Sequence, residues 1–147
     1  MGLYDRDFHA WAHEQAALAR SRSGNALDWD NVAQELEGLG KHQQSELASR
    51  YRVLVMQLLK WLFQPQGRGA SWEATIKVQR KSIARHLRKN LSLKATDEEA
   101  FRDCYDDARL GASQETGIAF DLFPENPPFT PEQARDPEFW PDRAEAG

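Results

Sequence analysis

The stretch that most restricts this chain runs from about Gln43 to Pro65. Leu47, Tyr51, Leu54, Val55, Leu58, Trp61 and Leu62 recur at the spacing of one helix face. A half-buried strand needs apolar residues at every second position, and no convincing run of that kind occurs in the 147 residues. Pro65 ends the stripe, because proline disfavours the α conformation in the residue before it. So long an apolar face has to be covered by other helices, and the fold class expected is all-α.

The rest of the chain supplies the covering elements. Asp5 or Asp7 suits the N-cap of a first helix with Phe8, Trp11, Ala12, Leu18 and Ala19 on one side, fading near Arg20. SRSGN (21–25) is a turn by composition. Asp28 caps WDNVAQELEGL, which Gly38 and Gly40 are expected to weaken or end. Ser71 is the expected N-cap of a helix bearing Trp72, Ile76, Ile83 and Leu87. After NLSL (90–93), Thr96 and Glu99 read as a capping box. The helix they open should bury Phe101, Cys104, Tyr105, Ala108 and Ala112. Beyond Gly117 lie six of the seven prolines, which exclude a long helix. Thr130-Pro131 with Gln133 can still cap one short turn, and Phe129, Phe139 and Trp140 should pack back onto the body. Short connections make successive helices antiparallel. The expectation is one domain over 1–147: an up-and-down bundle of about five helices in 1–117, with a proline-rich strap in 118–147.

Hydrophobic and charged contents of 40% and 29% are those of an ordinary folded domain. No apolar run approaches the length of a membrane span, and MGLYDRDF is too polar for a secretory signal. Cys104, the lone cysteine, forms no internal disulfide and no CxxC metal site, so a cytoplasmic setting is expected. His9 and His13 stand at i, i+4, but spacing supplies no third ligand; neither a metal nor another cofactor is expected. The net charge of −4 conceals a partition: residues 1–40 carry −4, residues 41–95 carry +10 and residues 96–147 carry −10.

YDRDFHAW (4–11), LDWDNVAQELEGLG (27–40), LLKWLFQP (58–65), SWEATIKVQR (71–80), LSL (91–93), ET (115–116) and FWP (139–141), in this order, resemble a bacterial family of small proteins known as domain-of-unknown-function family 29. The resemblance spans nearly the whole chain and implies an all-helical domain, with no established activity or cofactor to carry over. In the family pattern a glutamate usually stands where this chain has Gln34, ahead of Glu35, Leu36 and Glu37, and a histidine where it has Gln57. An amide is neither a good general base nor a good zinc ligand, so the departures argue against catalysis at those positions.

Three stretches are candidates for function. In KWLFQPQGRGASW (60–72), glycines precede a helix start and Arg68 could add a contact to phosphate. The stretch nevertheless lacks the G-x-x-x-x-G-K-[ST] order, and chain reversal accounts for it, with Trp61 and Trp72 packing together or into the core. On the next helix Lys77, Lys81, Arg85, Arg88 and Lys89 spread over about 120° of arc, opposite the apolar stripe. With Arg68 they are the candidate polyanion contacts. The following helix carries Asp97, Glu98, Glu99, Asp103, Asp106 and Asp107, and mutual neutralisation of the two rows is the favoured expectation. Arg80 flanks the apolar stripe, where a guanidinium is expected to find a carboxylate. Glu35, Glu37 and Glu115 are the candidates, and Gln57 joins them in a polar pocket or buried ion-pair cluster. No G-x-S-x-G, HExxH or paired-acid motif is present. The function expected is that of a non-catalytic interaction module with a protein partner or a second copy. The competing reading is an enzyme or binder acting on nucleic acid or a phosphorylated substrate through the Arg80 pocket and the basic helix 71–90.

Overall fold

A computed structural model describes residues 2–142. Six α-helices and no strand occur among them: α1 (Leu3–Arg6), α2 (Phe8–Arg20), α3 (Trp29–Phe63), α4 (Ala70–Lys89), α5 (Asp97–Thr116) and α6 (Pro131–Arg135). The all-α class therefore holds. None of these helices is long and apolar enough to cross a membrane. The chain forms two compact units, one up to His42 and one from Gln43 onward. The last five residues of the expected strap, 143–147, lie outside the described residues.

The first unit is built around Trp11, whose side chain is buried. Asp7 caps α2 through the Ala10 amide at 3.0 Å. Tyr4 meets Trp11 edge to face with ring centroids 4.8 Å apart. The Trp11 indole donates to Asp28 at 3.1 Å, and the Asn31 amide donates to the same carboxylate oxygen at 2.8 Å. These donors, Asn31 foremost, hold the Asp28 pKa below its ordinary value.

The second unit is a three-helix core closed by the strap. α4 runs antiparallel to α3: the Lys60 ammonium lies 4.7 Å from the Trp72 ring centroid at one end, and His86 reaches the Gln43 carbonyl at the other. α5 returns alongside α3, with Tyr51 donating to Asp97 near its start and Lys60 meeting Glu115 at 3.7 Å near its end. Leu47, Tyr51, Leu54, Val55, Leu58 and Leu59 from α3, Ile76, Ile83 and Leu87 from α4, and Phe101, Cys104, Tyr105, Ala108 and Ala112 from α5 form one buried cluster. Burial of each large side chain contributes on the order of 1.5–3 kcal/mol. Phe123, Phe129 and Ala134 of the strap are buried in the same cluster, and Phe139 and Trp140 pack against it. α6 is opened by a complete capping box between Thr130 and Gln133. It bridges α4 and α5, since Arg80 reaches the Ala134 carbonyl and Arg135 reaches Asp97.

Several local expectations are corrected. Gly38 and Gly40 do not end a helix, and α3 runs through both. A helix-ending glycine works by taking a left-handed φ; among the described glycines only Gly117 does so, at 76° after α5. Left in the helical region, each of the other two costs only about 1 kcal/mol relative to alanine. α4 starts one residue before Ser71, with Gly69 in the N-cap position. The Thr96–Glu99 capping box does not form, because 3-10 turns over Leu91–Thr96 lead straight into α5 and the Thr96 hydroxyl donates to the Leu93 carbonyl at 2.9 Å. At the α3–α4 corner Trp61 packs against the core, the second of the two expected arrangements, and meets Trp140 at 4.7 Å between centroids. Trp72 covers Gly67, so tightly that a Cβ there would lie 2.3 Å from its ring. That contact explains why this corner takes a glycine.

Candidate functional site

The basic face of α4 is the most distinctive surface of the second unit. α4 turns Ile76, Arg80, Ile83 and Leu87 inward, which leaves Lys77, Lys81, Arg85, Arg88 and Lys89 exposed on its opposite side. Lys77 is paired within its own helix to Glu73 at 3.0 Å. Lys81, Arg85, Arg88 and Lys89 have no carboxylate within ion-pair distance among the described residues.

The expected neutralisation by α5 is thus not made at contact distance. Asp97 is buried and shared by Tyr51 and Arg135, and Glu98 pairs with Arg102 in its own helix at 3.2 Å. The physical reason is geometric. Each helix turns its apolar stripe to the same core, so each charged row faces away from that core and from its counterpart. The strap adds a further obstacle by touching both helices between them.

Where the basic face meets α3, a groove of about 430 Å³ opens between the C-terminal half of α4 and residues 43–50 of α3. Arg85, His86 and Lys89 line one wall, Glu46 and Arg50 the other. His86 is buried; one ring nitrogen hydrogen-bonds the Gln43 carbonyl at 2.8 Å and the other lies 3.8 Å from Glu46. Arg50 donates twice to the second Glu46 oxygen, at 2.9 and 3.3 Å. Sequence reasoning missed Arg50, Glu46 and His86 as site residues. The i, i+4 pairing of Glu46 with Arg50 is legible in one dimension, but their meeting with His86 depends on the α3–α4 register.

Arg80 is buried at 3% exposure, and the carboxylate expected for it is replaced by backbone carbonyls. Its Nε donates to the Ala134 carbonyl at 2.7 Å and one terminal nitrogen to the Phe139 carbonyl at 2.6 Å, while its guanidinium lies 5.3 Å from the Trp140 ring centroid. Burial pulls its pKa below the ordinary value, and the Asp136 charge acts in the other direction. A carbonyl can stand in for a carboxylate here because the strap delivers two of them to one guanidinium. The other members of the expected cluster have their own places. Glu115 pairs with Lys60, and Gln57 is buried in the core of the second unit with its amide nitrogen unpartnered among the described residues. Glu35 belongs to the first unit, where it accepts from the Tyr4 hydroxyl; Glu37 is exposed in that unit. Arg68 is committed to the corner, donating to the Trp61 carbonyl at 2.6 Å and lying 5.2 Å from that ring centroid.

Other chemistry-bearing residues are placed as follows. Cys104 is buried, and its pKa is pushed up to about 12, chiefly by burial. A thiol so protonated is a poor nucleophile. The His9 and His13 rings stack edge to face with centroids 4.5 Å apart; no group of three or more His, Cys, Asp or Glu residues suited to a metal ion occurs among the described residues.

A three-helix core clasped by a capped, proline-rich strap defines an all-α protein with a one-sided basic helix on its surface. The chain belongs to the family described as Domain of unknown function DUF29, whose model matches residues 3–140. Comparison with curated proteins and with solved structures gives no match.

Proposed function

We propose that this protein is a non-catalytic interaction module that contacts nucleic acid through the ridge formed by Lys81, Arg85, Arg88 and Lys89. One observation carries the reading: four exposed cations on one helix face without a carboxylate partner among the described residues. Regularly placed, sequence-independent cations are what a phosphate backbone selects for. From Lys77 to Lys89 the face extends roughly 18 Å at 1.5 Å per residue, long enough to follow several phosphates. The groups considered for catalysis are otherwise engaged. Glu35 accepts from Tyr4, Glu115 pairs with Lys60, Arg80 is held by the strap, and Cys104 is buried. A cytoplasmic setting suits a single, sequestered thiol. A protein or a second copy as partner is the competing reading, and the experiment separates them.

Fluorescence anisotropy of labelled random-sequence single-stranded RNA and DNA, at low salt, tests the proposal. Binding should weaken with salt at a log–log slope of about −3, the value for four phosphates on a single strand. Lys81→Ala with Arg88→Ala should weaken binding at least tenfold on all sequences alike. Absence of binding at tens of micromolar protein overturns the proposal and turns the ridge into a face for protein contacts.

A further inference from the structure

We infer that the groove between α3 and α4 is a pocket for a terminal phosphate, so that the ridge receives a nucleic-acid strand by its phosphorylated end. The inference rests on the nucleic-acid reading above and narrows it to a substrate class. The groove adjoins the ridge, and they share Arg85 and Lys89. Lys81, Arg85 and Lys89 follow one another at i, i+4 and i+8, so a strand whose end sits in the groove continues along α4 with its phosphates facing cations.

Charge decides between a chain end and a chain interior. Arg50, Arg85 and Lys89 set against Glu46 give the groove a formal charge of +2 from its lysine, arginine and carboxylate side chains. A phosphate monoester carries about −1.5 to −2 at neutral pH, whereas an internal phosphodiester carries a single charge. The groove therefore matches the monoester and over-compensates the diester.

Hydrogen bonding agrees with charge. Glu46 is the groove's one carboxylate, and two hydrogen bonds from Arg50 already engage it. That engagement fixes the Arg50 guanidinium across from Arg85 and Lys89, and His86 is fixed in turn by Gln43. The C-terminal carbonyls of α4 would repel an anion, but Asn90 covers two of them, its side chain donating to the His86 carbonyl at 2.9 Å and its amide to Leu87 at 3.3 Å. At about 430 Å³ the groove falls within the usual range of small-ligand sites, which admits a phosphate together with its terminal nucleoside.

The test uses three single-stranded oligonucleotides of one sequence, ending in a 5′-phosphate, in a 3′-phosphate, or in hydroxyls at both ends, titrated against the full chain by competition anisotropy. One phosphorylated end should bind at least tenfold more tightly than the hydroxyl-ended strand. In a variant with Arg85→Ala and Lys89→Ala the preference should fall to within twofold. In a variant with Lys81→Ala and Arg88→Ala all three strands should weaken while the preference persists; circular dichroism melts establish that both variants are folded. Equal binding of the three strands overturns the terminal-phosphate pocket and leaves the ridge proposal standing. A preference undiminished in the Arg85/Lys89 variant also overturns it, because the phosphate then binds elsewhere. Binding of none of the three overturns both proposals.

Discussion

Replacement of Arg80 by methionine removes the guanidinium while keeping most of the aliphatic volume, and its cost follows from the contacts. Two hydrogen bonds from a charged donor, to Ala134 and Phe139 at 2.7 and 2.6 Å, contribute about 1.5–3 kcal/mol each. The contact with Trp140 adds about 0.5–1 kcal/mol. Against this stands the burial of a charge with no carboxylate in contact among the described residues, which costs several kcal/mol and is relieved in the variant. The net expectation is a loss of about 2–3 kcal/mol. With a urea m-value of about 1–1.5 kcal/mol/M for a chain of this size, the midpoint should fall by roughly 2 M, followed by tryptophan fluorescence. Because both carbonyls belong to the strap, amide exchange over 130–141 should accelerate more than in α3 or α5. Arg80→Lys should recover part of the stability but not the strap protection, since a single ammonium cannot fork to two carbonyls. If Arg80→Met lies within 0.5 kcal/mol of the parent and strap exchange is unchanged, the guanidinium does not hold the strap.

Gly67→Ala should destabilise by about 1–3 kcal/mol, the usual range for overpacking, because its Cβ would overlap the Trp72 ring; a thermal melt checks this, and Trp72→Leu in the same chain should return part of the loss. Tyr51→Phe removes a buried hydroxyl that donates to Asp97 and should cost about 1–2 kcal/mol in urea denaturation. Alkaline pH should unfold the protein steeply. Burial first, and hydrogen bonding to Asp97 next, raise the Tyr51 pKa, while burial pushes Tyr105 and Cys104 up to about 12. The unfolded chain releases these protons near 9 for the thiol and 10 for the phenols. Above those values the unfolded state binds fewer protons than the native one, so stability is complete below pH 9 and falls as pH rises. Three such groups give about 3–4 kcal/mol per pH unit around pH 11, and a urea midpoint that stays flat through pH 11 would contradict the assignment.

Much of the fold was legible because helices are read from local information. The stripe from Leu47 to Leu62, the buried side of α5 and the Thr130–Gln133 capping box all rest on spacing within a few residues of one another. What was misread turns on choices that a local pattern leaves open. Gly38 and Gly40 resemble helix ends until φ is known. Thr96 has the right successor for a capping box, but the preceding 3-10 turns claim its hydroxyl. Arg80 needed a counter-group, and carboxylates are visible in a sequence as backbone carbonyls are not. Its true partners lie 54 and 59 residues away, in a segment whose prolines gave no sign of which carbonyls would point inward.

The charged rows teach a sharper lesson, because the geometry that separates them was available from the sequence. At about 100° per residue, Lys81, Arg85 and Arg88 fall opposite Ile76, Ile83 and Leu87, and Asp103, Asp106 and Glu99 fall away from Phe101, Tyr105 and Ala108. Two helices that bury their stripes in one core carry such rows on outward faces, so only residues beside a stripe can pair across an interface. Lys60, Asp97 and Arg80 behave that way, each being buried or nearly so and bonded to another element. Adjacency along the chain brings helices together without bringing their far sides together. Beyond contact, charges exposed to water attenuate over about 8–10 Å at physiological salt, so an acidic face on another side does little to offset the field at Arg85 and Lys89. A protein of net charge −4 can therefore present a locally cationic surface, and the sum over the chain is the wrong quantity for judging what that surface binds.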